Sequence, residues 1–288
     1  MKKICIDPGH YGATYNAGVV KGFYESEMAW KLSQYQKQFL EKLGFDVIIT
    51  RAKNEDVDLQ TRGKKSKGCC LFISNHSNAS GTESTDYALA IHLVDKSSTT
   101  ADDVSKRLAM KLSSTIKEVM GVGSSQYWSK ASEYDRDGNG KKDDNYYGVL
   151  QGAISVGTPG IILEHSFHTN KKACAWLSKD ENLKKLAKAE AEVIAEYFGA
   201  EHTEQSNAKP STKPTTKPNT KPSTKPFKVY VPSTDLHIRA EASSKSKSNG
   251  FTGRGTFTIV DTKVVNGIEW GKLKSGAGWI CLKYTRKL

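Results

Sequence analysis

Two histidines and two glutamates, His10, Glu25, His76 and Glu164, carry the strongest chemical signal in the sequence. His10 follows the apolar run KICID (3–7), His76 follows CCLFIS (69–74), and Glu164 closes GIILE (160–164). Glu25 opens a segment whose apolar residues recur with a helical period. Two imidazoles and one carboxylate make a three-ligand zinc set that leaves a position for water, the arrangement of catalytic rather than structural sites. A second carboxylate can then act as base. An ionised glutamate ending a buried apolar run is costly unless it is paired or lies close to a cation, which makes Glu164 the least ordinary of the four.

These residues need a scaffold that gathers strand ends. Open α/β sheets collect ligands at the carboxyl ends of their strands. The first 206 residues alternate strand-like and helix-like patterns and predict an α/β fold, a mostly parallel sheet with helices on both faces. Met28, Leu32, Tyr35, Phe39 and Leu43 form one helical face over 25–43, stopped by Gly44. FDVIIT (45–50) and CCLFIS read as strands, with a short polar helix over 58–66 between them. YALAIHLV (87–94) is a further strand containing His92, which is expected to be a core or supporting residue. Val104, Leu108, Leu112, Ile116 and Val119 stripe a second helix, 121–145 is a long polar stretch, and 181–198 is a last helix. On this frame the four site candidates fall on one edge of the sheet. Glu25 is preferred over Glu27 because it shares the face of Met28 and Leu32, while Glu27 is expected to be solvated.

Composition separates a second region. Residues 208–226 repeat lysine and proline every fourth position and hold five of the eight prolines, which predicts a semi-rigid linker over 207–226. Residues 1–206 contain 27 Lys plus Arg and 27 Asp plus Glu, whereas 227–288 contain 11 basic and 4 acidic residues. The net charge of +12 therefore belongs to the linker and the last region, which is where a polyanion partner, nucleic acid or an anionic wall polymer, is to be sought. Nucleic acid is not expected there, because no aromatic stacking platform is spelled out. The runs FKVYV, LHIRA, FTIVDT, EWGKL and GWICL predict a small all-β barrel. Five cysteines without metal spacing read as reduced residues. The absence of an 18-residue apolar run and of a signal-peptide h-region leads to the expectation of no membrane insertion, and of synthesis in the cytoplasm without a Sec signal.

DPGH (7–10), Glu25, Thr50 and Arg51, LQTR (59–62), SNHSNAS (74–80) and EHSFHTN (164–170) together resemble the zinc-dependent N-acetylmuramoyl-L-alanine amidases, over nearly all of residues 3–199. The resemblance implies that His10, Glu25 and His76 bind one catalytic zinc and that Glu164 is catalytic. It further implies peptidoglycan as substrate, cleaved between N-acetylmuramic acid and L-alanine. The family pattern has glycine where this chain has Ser166. His165 and His168 are additional imidazoles; strand alternation turns His165 away from Glu164, toward packing or support of the ligands. Asn78 and His168 are expected at the cleft, and Arg51 and Arg62 are expected to hold loops or carboxylates beside it.

Asp135, Asp137 and Asn139 imitate the start of a calcium loop, but Tyr146 occupies the twelfth position, so a solvated turn is the stronger reading and calcium the weaker. Residues 227–288 resemble a bacterial Src-homology-3-type wall-binding domain in LHIRAEASS and GWICLKY. The combination is expected in a phage or prophage endolysin released through holin-type pores to act on the wall. The alternatives are a host autolysin with the same activity and a wall-binding protein whose hydrolase site has decayed.

Overall fold

The computed structural model describes residues 2–94, 100–136, 138–198, 226–231, 236–244, 246–253, 255–265 and 268–288. The chain divides into two compact units, Met1–Gln205 and Ser206–Leu288. In the first unit the order is β1 (Lys3–Pro8), α1 (Glu25–Lys42), β2 (Asp46–Ile49), α2 (Leu59–Lys64), β3 (Leu71–Asn78) and β4 (Tyr87–His92). There follow α3 (Thr100–Met120), β5 (Ser124–Trp128), α4 (Gly148–Ser155), β6 (Gly160–Phe167), α5 (Lys171–Leu177) and α6 (Asp180–Phe198).

The six strands form one sheet in the order β2-β1-β3-β6-β4-β5. β2, β1, β3 and β6 are mutually parallel, which brings the ends of β1, β3 and β6 to one edge. β4 runs antiparallel to β6, and β5 runs parallel to β4. The link from β3 to β4 is too short for the crossover that a parallel return needs, so β4 comes back the other way.

Strand alternation sorts the core into two layers. Ile4, Ile6, Leu71, Ile73, Ile161 and Leu163 face α1, α3 and α6, whose Leu32, Leu112, Ile116, Leu186 and Ile194 are buried against them. Cys5, Phe72, Leu89, Ile91 and Ile162 point the opposite way and pack on Val149, Leu150 and Ala153 of α4. Helices therefore cover both faces. On the second face α2 meets α4 backbone to backbone: a Cβ at Gly63 or Gly152 would collide with the main chain of the other helix.

Three elements depart from the sequence expectation. β5 lies inside the stretch read as polar; it is an edge strand whose side chains are mostly exposed, so no apolar alternation marks it. α4 and α5, of 8 and 7 residues, are too short to display a helical period. Among the described residues no disulfide joins the cysteines, and no helix is long and apolar enough to cross a membrane.

The second unit is an antiparallel seven-stranded sheet of β7 (Phe227–Val231), β8 (His237–Arg239), β9 (Ser248–Phe251), β10 (Gly255–Val265), β11 (Ile268–Leu273), β12 (Trp279–Cys281) and β13 (Arg286–Lys287). Val229, Val231, Ile259, Leu273 and Ile280 make its core. Apart from Pro226, the lysine–proline repeat lies outside the described residues.

Candidate active site

The site is built outward from the end of β1. Asp7, fully buried, accepts hydrogen bonds from Thr50 Oγ1 (2.5 Å) and Ser74 Oγ (2.7 Å), which ties β1 to its two neighbours. Gly9 then passes so close to β3 that a Cβ there would lie 2.5 Å from His76 Cε1 and from Asn75 O. His10 takes a left-handed backbone, φ 57°, a conformation that costs energy outside glycine and needs support from its surroundings. Two buried arginines supply it. Arg51 donates to Pro8 O (3.1 Å) and Gly9 O (3.1 Å), and Arg62 donates to His10 O (2.9 Å). Burial, and then the charge of Arg62, pull the Arg51 guanidinium down to about 10. Both arginines hold the turn that aims His10, and neither lines the cleft.

Glu25 begins α1 and is 2% exposed. Its Oε2 lies 3.0 Å from His10 Nε2 and its Oε1 lies 3.1 Å from His76 Nδ1. Ser77 N and Asn16 Nδ2 donate to the same carboxylate at 2.9 and 2.8 Å. Ligand atoms of His10, Glu25 and His76 all fall within 4.8 Å of one another. Burial opposes the charge of Glu25, yet the hydrogen bonds with His10 and His76 hold its carboxyl well below the usual range. Burial likewise opposes a charged His76, and the bond to Glu25 and its charge push it up to about 9. A buried carboxylate that draws two imidazoles to one point is satisfied equally by a divalent cation. The donor set, with one side open to the cleft, fits zinc. Glu27 is half-buried and pairs with Lys53 Nζ at 2.7 Å, so it is an ion-pair partner rather than a solvated residue.

Glu164 faces this cluster. The β3–β6 register pairs it with His76, and both project from the same side of the sheet. Glu164 Oε2 is buried and has no hydrogen-bond partner among the described residues. Burial pushes the Glu164 carboxyl up to about 7, with His76 lowering it and Glu25 raising it. Immediately beyond, the register slips so that Asn78 opposes Phe167, a bulge centred on Ser166. Ser166 has φ 57° and donates to Asp86 Oδ1 at 2.7 Å. A left-handed bulge residue is where glycine is ordinarily favoured, which accounts physically for the glycine of the family pattern.

The bulge turns His168 into the site, where its Nδ1 is 3.0 Å from Ser77 O and 3.9 Å from Glu25 Oε2. A cavity of about 320 Å³ is lined by His10, Glu25, His76, Asn78, Glu164 and His168 together with Asn16 and Tyr147. Asn16 and Tyr147 carry no sequence signal that singles them out.

His165 points away from the cavity. Its Nδ1 lies 2.8 Å from His76 O and its Nε2 lies 2.9 Å from Glu190 Oε1. Glu190 Oε2 accepts from Gln36 Nε2 (2.7 Å), and Gln36 meets Asn75 (2.6 Å), so a buried polar layer underlies the strand that bears His76. Burial opposes a charged His165, while the charge of Glu190 and its hydrogen bond raise it.

Asp135 spends both carboxylate oxygens on its own loop, accepting from Gly138 N (2.8 Å) and Gly140 N (2.8 Å), while Asn139 Oδ1 accepts from Lys141 N (2.8 Å). Asp137 lies outside the described residues.

A family model described as N-acetylmuramoyl-L-alanine amidase matches residues 4–196. The chain belongs to the N-acetylmuramoyl-L-alanine amidase family. Solved amidases share the fold. The catalytic domain of CwlV from Bacillus (Paenibacillus) polymyxa var. colistinus matches with TM-score 0.56 at 20% identity, covering 70% of this chain and 100% of that one. An amidase from Clostridium difficile 630 matches with TM-score 0.56 at 18% identity, covering 69% and 97%. AmiC2 of Nostoc punctiforme matches with TM-score 0.55 at 21% identity, covering 69% and 97%. No curated protein sequence matches this amidase.

Proposed function

We propose that this amidase is zinc-dependent and hydrolyses the amide between the lactyl group of N-acetylmuramic acid and the first L-alanine of the stem peptide. The observation that carries the reading is the convergence of His10, Glu25 and His76 opposite the buried, unpartnered oxygen of Glu164. His10, Glu25 and His76 would hold the zinc. When bound, the metal supplies a Lewis acid that polarises a carbonyl and lowers the pKa of water. Glu164 accepts the proton of the attacking water at its carboxylate and delivers it to the leaving amine of L-alanine. Asn16 and the Ser77 N–H fix the Glu25 carboxylate, and the polar layer behind His76 fixes its strand. The Glu164 environment suits this double duty, because a carboxyl raised toward neutrality both takes up and releases a proton readily.

The basic second unit acts as a wall-binding module of the Src-homology-3 type in this reading, drawn to anionic wall polymer by its excess of lysine and arginine. Tethering raises the concentration of the hydrolase at an insoluble substrate, as the lytic role of an endolysin requires. Mass analysis of digested walls tests the activity. Free stem peptides beginning with L-alanine are expected; new reducing sugar ends without such peptides would mean a glycosidase.

A further inference from the structure

One rim of the cleft carries an aromatic lip that the hydrolytic machinery does not use. Tyr15 stacks on His10 with ring centroids 5.0 Å apart and planes at 19°, and Tyr11 leans on Tyr15 at 5.9 Å. Both rings remain open, Tyr15 at 48% and Tyr11 at 39% exposure. The segment that bears them is pinned at several points. Gly12 N donates to Lys53 O (2.9 Å), Tyr15 N to Ser26 Oγ (2.9 Å), Ser26 N to Tyr15 O (3.3 Å) and Glu25 N to Asn16 O (2.9 Å). Two aromatic faces are thus held in water beside a reacting centre, where fixed exposed rings serve ligand recognition. The β3–β6 side of the cleft differs in chemistry, since Asn78 and His168 there offer amide and imidazole groups that suit a peptide. A pyranose ring complements a tyrosine, because it has a flat apolar C–H face with hydroxyls at its edge, and tyrosine has an apolar face with a polar tip.

We propose that Tyr15 and Tyr11 form the glycan subsite: Tyr15 lies under the N-acetylmuramic acid ring that bears the scissile amide, and Tyr11 lies under the next sugar of the strand. The proposal rests on the amidase reading above and gives that site a direction, with glycan on the Tyr11–Tyr15 side and stem peptide toward Asn78 and His168. The tyrosines are positioning residues. They hold the sugar so that the lactyl amide reaches the metal ligands and Glu164.

The test compares the full chain with Tyr11→Ala, Tyr15→Ala and Tyr15→Phe on two soluble substrates, N-acetylmuramyl peptide and N-acetylglucosaminyl-N-acetylmuramyl peptide. Tyr11→Ala is expected to raise KM for the disaccharide peptide about two- to tenfold more than for the single-sugar peptide, the range of one aromatic stacking contact. Tyr15→Ala should raise KM on both, and Tyr15→Phe should restore it. An independent readout is titration of metal-stripped protein with peptide-free disaccharide; Tyr11→Ala should weaken binding by a similar factor while retaining the wild-type zinc content on reloading. In Tyr11→Ala, equal losses on the two substrates or unchanged disaccharide binding would overturn the subsite. Disaccharide binding by a wild-type protein that releases no stem peptide would support the lip and sink the amidase reading instead.

Discussion

His76 and His92 are the same residue type at the carboxyl ends of two buried strands of one sheet, yet they end on opposite edges. The β4–β6 register sets Leu89 against Glu164 and His92 against Ile161, so the end of β4 lies beside the beginning of β6. His92 is 6% exposed and its Nδ1 bonds to Leu93 O at 2.7 Å, whereas His76 meets Glu25 and opens on the cleft. Residue type does not separate the cleft histidine, partly exposed, from the buried core one here. Strand direction does.

The largest expected effect sets the two edges furthest apart. Glu164→Gln should lower kcat by about 100-fold to 10,000-fold with zinc content and fold intact, because the amide keeps the shape but cannot take the proton. His92→Gln should leave kcat and zinc content at the wild-type level. A comparable loss in His92→Gln would break the comparison.

The pH profile sharpens it next. The base must be deprotonated to act, so kcat/KM should fall as pH drops through the Glu164 pKa, by about tenfold per unit once well below it. Without a cation that value is about 7, and the charge of bound zinc lowers it, so the acid limb should lie below 7. The limb should vanish from the residual activity of Glu164→Gln and persist in His92→Gln.

Beneath the site edge the core is polar, and removing one partner exposes the cost. Glu190→Gln leaves His165 without its carboxylate in a fully buried setting and should lower stability by about 3 kcal/mol in urea unfolding. The smallest effect belongs to the bulge. Ser166→Gly relieves a left-handed backbone but loses the bond to Asp86, two effects of about 1 kcal/mol each that nearly cancel, so its midpoint should barely move. Ser166→Val, β-branched at positive φ, should be clearly destabilised.

Legibility in the sequence follows from local pattern. The runs ending near His10, His76 and Glu164 are continuous apolar segments, and the α1 stripe places Glu25 on the face it uses, so the site edge is readable. Alternation also turns His165 inward. The direction of β4 is not encoded in its own alternation, since an apolar run reads alike either way; the short β3–β4 link is the only local hint. β5 is hidden because an exposed edge strand needs no apolar side chains. The polar layer is hidden because Gln36 and Glu190 are 154 positions apart and each, alone, resembles a surface residue. Glu27 escaped because its partner Lys53 lies on a loop that no period predicts. Asn16 and the tyrosine lip depend on how the segment after His10 folds back on α1, and nothing in their spacing announces it.

Metal content measured on purified protein bears most directly on the central claim that this strand edge is a zinc site held by two histidines and one glutamate. Wild type and Glu164→Gln should each hold about one zinc per chain, by the three-ligand logic of catalytic sites. His76→Ala should lose zinc and activity together while remaining folded by circular dichroism. Stoichiometric zinc retained in a folded His76→Ala would contradict the ligand assignment, whatever its activity.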